Sequence, residues 1–329
     1  MAQPGLSPDP PFLADARPRV EATLLEVVRT DDPFLTEVAS HLIKAGGKRV
    51  RPLFAAAAGA CATGGAPVSD EVVLGGVAAE LVHLGSLYHD DVIDEATTRR
   101  TVESVNARWG NLTAILAGDF LLAKASEIAA SLGTEVAGLL AATIGRLCEG
   151  EVGELRSAYD PTRSEAAYIS SIRGKTASLF ATACRIGGIV GGLSREHIDA
   201  LTAFGDGYGM AFQIVDDVLD LTATDEQLGK PAGHDLVEGV YTLPVLRALA
   251  APESDELAAL LGSPLDDDQL ATALKLVRAD GAVPSAVAAA ATFVDEAVHS
   301  LAAIGDTPAA AWLSSAAHGL VAGLAPAPA

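Results

Sequence analysis

The sequence predicts an all-α protein, and three observations predict it. Alanine and leucine dominate a chain that is 50% hydrophobic but only 5% aromatic, a composition suited to closely packed helices rather than sheets. No proline falls between Pro67 and Pro161, or between Pro161 and Pro231, so two long spans are open to uninterrupted helix. Within them apolar residues recur at three- and four-residue intervals, and strand-like alternation is rare. No linker divides the 329 residues. Residues 19–329 are therefore expected to form one helical domain, and the proline-rich residues 1–18 a flexible lead-in.

Taken in order, residues 19–30 and 33–44 read as two amphipathic helices. Gly46-Gly47-Lys48-Arg49-Val50-Arg51-Pro52 then sets flexible backbone beside three cations, which suits an anionic ligand group. It is not a nucleotide P-loop, because Lys48 is followed by arginine and lacks the upstream glycine spacing. Residues 53–62 read as a short buried helix, residues 64–67 as a turn, and residues 69–94 as the long central helix. In that helix Leu74, Val77, Leu81, Leu84 and Tyr88 form an apolar stripe. His83, Asp90 and Asp94 share another face, seven residues being about two turns and four about one.

Asp91 stands about 100° round from Asp90, so three carboxylates crowd the helix end. Such acids repel and cannot all stay ionised without a cation. A hard divalent ion such as Mg²⁺ relieves them, drawing one or two carboxylates and completing its shell with water and phosphate. A single cluster of this kind reads equally well as solvated surface. A second copy, Asp216-Asp217-Val-Leu-Asp220, ends the apolar run Met210-Ala-Phe-Gln-Ile-Val, and a pair on two apolar helices is not surface decoration.

Between the triplets, residues 106–129 read as a helix containing Asp119, followed by Gly150-Glu151 and by a helix over 168–180 carrying Lys175-Thr176. Residues 222–239 are loop-like and contain Lys230. From 242 onward the chain reads as helix without candidate chemistry. Its last stretch, 307–329, holds no Asp, Glu, Lys or Arg and is expected to pack as a terminal helix rather than enter a membrane. A net charge of −21 excludes a general nucleic-acid binder. Cys61, Cys148 and Cys184 are too scattered for a zinc site or a disulfide framework, and no secretory signal opens the chain, so a cytoplasmic location is expected.

Two carboxylate clusters holding Mg²⁺, flanked by Lys48, Arg51, Arg99, Arg100, Lys175 and Lys230, are equipped to bind diphosphate and neutralise it as it departs. No Ser/His or Cys/His nucleophile stands out. The other product of such a departure is a carbocation, shielded from water by apolar walls.

On these residues the chain resembles the trans-isoprenyl diphosphate synthases, or polyprenyl synthetases. The resemblance runs from about Gly46 to Pro244 and takes in Gly47-Lys48-Arg49-Val50-Arg51-Pro52, Glu80-Leu-Val-His83, Asp90-Asp91-Val-Ile-Asp94 with Arg99-Arg100, and Gly118-Asp119. It continues through Gly150-Glu151, Lys175-Thr176, Phe212-Gln213-Ile-Val-Asp216-Asp217-Val-Leu-Asp220 and Gly229-Lys230. It implies the isoprenoid-synthase (terpenoid synthase) helical bundle with a central active-site cavity, normally a homodimer. By the same resemblance, Asp90, Asp91, Asp94, Asp216, Asp217 and Asp220 hold Mg²⁺, three ions when diphosphate is bound. Arg99, Lys175 and Lys230 grip an allylic diphosphate; Lys48, Arg51, His83 and Arg100 bind isopentenyl diphosphate; Thr176 and Gln213 line the cation.

Small residues five and four places before Asp90, Gly85 and Ser86, imply in this family a product longer than farnesyl, with membrane contact no more than transient during its release. A geranylgeranyl or farnesyl synthase is the nearest alternative. A class I terpene cyclase lacks the second acid triplet and the isopentenyl site, and a non-catalytic subunit of a heteromeric synthase has no need of six aspartates. One departure stands out: Thr101 occupies the place where the family usually has glycine after the paired arginines.

Overall fold

The computed structural model describes residues 9–222, 232–252, 254–279 and 281–324. Its first half comprises α1 (Pro11–Val27), α2 (Pro33–Ala39), α3 (His41–Lys44), α4 (Val50–Thr63), α5 (Asp70–Ile93), α6 (Val105–Trp109), α7 (Asn111–Ser131) and α8 (Thr134–Leu155). Then come α9 (Glu165–Ile172), a π-helical turn (Arg173–Ala177), α10 (Ser178–Val190) and α11 (Arg195–Thr222). After the second acid triplet follow α12 (His234–Val237), α13 (Leu243–Leu249), α14 (Asp255–Leu260), α15 (Asp267–Ala279), α16 (Ala282–Ser300) and α17 (Pro308–Ala322).

Helix starts follow the caps that the sequence supplies. Asp32 accepts from the backbone of Phe34 and Leu35 ahead of α2, Ser69 from Val72 ahead of α5, and Ser164 from Ala167 ahead of α9. The helix expected over 106–129 is broken into α6 and α7 at Gly110, whose φ of 84° lies where a side chain is disfavoured. By length and composition α5 could cross a membrane, but 72% of its apolar window is buried. It is a core helix, packed against α4, α7 and α10, while α11 lies between α10 and α16. The scarce aromatics are concentrated: Phe54 touches Phe180, Phe204, Tyr208 and Trp312, the closest centroids 4.5 Å apart. That one cluster ties α4, α10, α11 and α17 together.

Two expectations are corrected. Residues 11–18 are not lead-in but the first half of α1, with Phe12, Leu13 and Ala16 fully buried. Pro11 stands at the start of the helix, where its missing N–H costs nothing, and burial of five side chains offsets the bond lost at Pro18. The fold also contains a strand pair, Thr98–Arg99 with Val102–Glu103, antiparallel. Its two-residue turn is Arg100-Thr101, with φ of 53° and 65°, the left-handed pair a tight hairpin requires.

Thr101 is β-branched, so its conformation is strained where glycine's is free. Thr101→Gly is expected to stabilise the fold by about 1 kcal/mol, read as a rise in the urea midpoint. A lower midpoint would show that the Thr101 hydroxyl, which donates to the Arg100 carbonyl at 2.6 Å, outweighs the strain.

Candidate active site

The first acid triplet closes α5. Asp90 is half-buried and Asp94, the cap of the helix, is exposed. Asp91 is wholly buried: its Oδ1 accepts from Arg99 Nε at 2.7 Å, and its backbone carbonyl from Asn106 Nδ2 at 2.9 Å. The short hairpin thus folds Arg99 back onto the end of α5. On α11, Asp216 is exposed while Asp217 and Asp220 are buried. Asp217 accepts from the Tyr168 hydroxyl and, at 2.9 Å, from Gln213 Nε2. Asp220 accepts from the backbone N–H of Asp235 at 3.2 Å.

The six aspartates expected at the metal site differ in exposure: Asp94 and Asp216 are exposed and Asp90 is half-buried, whereas Asp91, Asp217 and Asp220 are buried and accept from protein donors.

Lys175 stands between the triplets. Its ammonium pairs with Glu151 at 2.8 Å and Glu154 at 2.6 Å, and acts on Asp90, while Glu154 acts on Asp217. Burial pushes Asp90 up to about 7; Lys175 opposes this, and Glu151 and Asp94 add to it. Asp217 is likewise raised to about 7 by burial, against the hydrogen bonds from Tyr168 and Gln213.

An acid-rich site whose carboxylates resist ionising, with Asp91 Oδ2 buried and without a hydrogen-bond partner among the described residues, fits a hard divalent cation. Among the described residues no three acids or histidines form a closed cage. Mg²⁺ takes this arrangement when each side offers one or two carboxylates and phosphate completes the shell.

Lys175 and Thr176 owe their placement to the π-helical turn, a feature with no local signal in sequence. α8 approaches it so closely that a side chain on Gly150 would strike the backbone of Ser171 and Lys175, and one on Gly174 that of Arg146. Thr176 Oγ1 donates to Gln213 Oε1 at 2.7 Å, so these two expected site residues are in contact.

About two turns before Asp90 on the same face of α5 lies a basic pocket. Burial holds His83 well below its usual range, reinforced by Arg51, Arg100, Arg99 and Arg49, so the imidazole is neutral and ringed by guanidinium groups. Arg51 lies with its guanidinium carbon 4.6 Å from the centre of the Phe180 ring, and its Nε is buried without a partner among the described residues. Arg100 donates to the carbonyls of Leu42 and Gly46, fastening the hairpin to the glycine loop. Lys48 belongs to the same loop but is exposed. Arg51, His83 and Arg100 therefore come together as expected, with Lys48 at the edge. Sequence reasoning gave no role to Arg49 and Glu80, the buried ion pair at 3.2 Å beneath this pocket; an acid inside the apolar stretch of α5 was the available signal.

Gly85 needs a second correction. A side chain there would meet the Gly118 carbonyl at 3.0 Å and Leu122 at 3.2 Å, so its smallness serves the α5–α7 contact rather than an open passage. Ser86 is half-buried and donates to the His83 carbonyl at 2.9 Å. Lys230 lies outside the described residues.

The polyprenyl synthetase family model matches residues 32–277. Nonaprenyl diphosphate synthase of Mycobacterium tuberculosis is 40% identical over 293 residues, 88% of this chain and 87% of that protein. Heptaprenyl diphosphate synthase component 2 of Geobacillus stearothermophilus is 39% identical over 88% of this chain and 90% of that one. Among solved structures, geranylgeranyl pyrophosphate synthase of Corynebacterium glutamicum, complexed with calcium and isoprenyl diphosphate, superposes with a TM-score of 0.83. It is 40% identical, over 95% of this chain and 98% of the other.

Proposed function

The chain belongs to the polyprenyl synthetase family, and from that premise we propose that it condenses isopentenyl diphosphate head-to-tail with an allylic diphosphate, giving a trans-polyprenyl diphosphate longer than farnesyl. One observation carries the reading: two opposite charge systems flank the end of α5. One is the acid site converging on Lys175, the other the arginine ring around His83.

Asp90, Asp94 and Asp216 would hold Mg²⁺, with Asp91, Asp217 and Asp220 behind them, as three ions once diphosphate is bound. The metal's contribution is to neutralise charge on the departing diphosphate. Arg99 and Lys175 bind the allylic diphosphate, which competes for Lys175 with Glu151 and Glu154. Arg51 and Arg100, with Lys48 at the rim, bind the diphosphate of isopentenyl diphosphate, and neutral His83 donates a hydrogen bond rather than charge. The C1–O bond of the allylic substrate breaks with its electron pair leaving on diphosphate. The double bond of the second substrate attacks the allylic cation, and released diphosphate removes the proton. Thr176 faces the cation with its oxygen, and Gln213 lines the same position.

Since Gly85 is packed against α7, the length of the product rests on Ser86 and on the relatives, which are named for heptaprenyl and nonaprenyl products. Purified protein with Mg²⁺, isopentenyl diphosphate and, separately, dimethylallyl, geranyl, farnesyl and geranylgeranyl diphosphates is expected to yield dephosphorylated chains in that heptaprenyl-to-nonaprenyl range. A ladder stopping at farnesyl sinks the length assignment and keeps the enzyme. Cyclised hydrocarbon without isopentenyl uptake means a cyclase.

A homodimer is the proposed assembly. Leu112, Ile115 and Leu116 line one exposed face of α7, Leu112 with 72% and Leu116 with 57% of its surface open, an apolar patch that a second copy would cover. A name ending in "component 2" favours one other reading, a distinct partner chain. Light scattering on the chain alone separates them: dimer mass supports the first, and monomer mass without turnover the second.

A further inference from the structure

We propose that Tyr168 is a positioning residue: through Asp217 and Gln213 it sets the direction of the Thr176 hydroxyl, leaving the Thr176 oxygen lone pairs free for the cationic centre. The inference rests on the prenyl-transfer reading above.

The argument is one of hydrogen-bond polarity. An amide nitrogen can only donate and a carbonyl oxygen can only accept. Asp217 accepts from the Tyr168 hydroxyl at Oδ2 and from the Gln213 amide at Oδ1, 2.9 Å away. The amide must therefore direct its NH₂ to Asp217 and its carbonyl the other way, where Thr176 Oγ1 lies at 2.7 Å. A carbonyl cannot donate, so the single Thr176 proton points at Gln213. The row reads Thr176 to Gln213 to Asp217, met from the other side by Tyr168.

Gln213 was expected to offer its own oxygen to the cation, but that oxygen already accepts from Thr176. Thr176 is the hydroxyl whose acceptor capacity remains, since nothing among the described residues donates to it. Tyr168 is buried to 1% exposure, with the Arg163 guanidinium carbon 5.7 Å from its ring centre, so its hydroxyl cannot wander. Take that hydroxyl away and one oxygen of a buried carboxylate is left unfilled. Asp217 then has reason to turn, the Gln213 amide is free to flip, and the Thr176 proton can point into the site.

Steady-state kinetics at saturating Mg²⁺ on Tyr168→Phe, Thr176→Val and the double variant test this. Tyr168→Phe is expected to lower kcat by about tenfold, with KM for isopentenyl diphosphate within about twofold of the parent, because that substrate binds at the separate arginine pocket around His83. The double variant is expected to be no slower than Thr176→Val alone. Should Tyr168→Phe fail to fold, Gln213→Glu removes the other donor to Asp217 and is expected to show the same non-additivity with Thr176→Val. Effects that multiply in the double variant, a parent-like kcat, or KM for isopentenyl diphosphate rising in step overturn the proposal. An active parent with a silent Tyr168→Phe overturns it alone; an inactive parent overturns the prenyl-transfer reading and this proposal with it.

Discussion

Asp90→Asn is expected to lower kcat by about a thousandfold and, at neutral pH, to make the metal-free protein more stable. Both effects follow from one placement. Asp90 faces Glu151 and Asp94 in a partly buried site and is raised to about 7 from an ordinary carboxylate value. An acid raised on folding works against the fold once the unfolded chain has lost its proton. Asp90's contribution to the metal-free protein should therefore be fully present near pH 4 and be lost as pH climbs toward 7, where the folded group also ionises.

Asparagine cannot ionise, so the gap between variant and parent should be absent near pH 4 and reach about 2–4 kcal/mol above pH 7. Added Mg²⁺ should narrow the gap by stabilising the parent alone. Urea titrations at three pH values, with and without metal, check this. A variant less stable than the parent at pH 8 without Mg²⁺ would contradict the electrostatic account of the site, whatever its activity. The residue is one whose catalytic use carries a stability cost in the empty site.

Much of this site was legible in the sequence, and the limits of legibility have physical causes. Two acid triplets, the glycine–arginine loop and Lys175-Thr176 are patterns of residue type, and type survives in a string of letters. Which aspartate faces outward does not. Asp90 and Asp91 are neighbours on one helix, and only the return of Arg99 on a hairpin decides that Asp91 is the buried one. Gly85 failed for a related reason: smallness can mean open space or a close neighbour, and Gly118 on α7 makes it the second. The π turn arises from the approach of Gly150 to Gly174, two segments apart in sequence, so no window of residues contains it. At the other end of the chain, prolines at 4, 8, 10 and 11 suggested loop, yet the burial of Phe12 and Leu13 outweighed local propensity in α1.

Glu80→Gln is the second large effect expected, this time on the fold. Glu80 is 2% exposed and pairs with Arg49 at 3.2 Å. Its negative charge also acts on Arg51 and Arg100. It is thus the interior counter-ion for three guanidinium groups, and the remaining acid, Glu21, has a side chain 40% exposed. Desolvated charges left unpaired cost far more than the pair itself contributes. Neutralising Glu80 is expected to cost about 3–5 kcal/mol, whereas Glu21→Gln, at the solvent edge, should cost under about 1 kcal/mol. The variant also supplies its own control for function. With the interior anion gone, an anion bound from outside has more positive charge to satisfy, so saturating inorganic diphosphate should raise the melting temperature of Glu80→Gln by more than it raises that of the parent. An equal shift in both would mean that Glu80 neutralises Arg49 alone and that the diphosphate-binding arginines are balanced elsewhere. A larger shift would identify the buried glutamate as the ion that keeps the substrate pocket folded while it is empty.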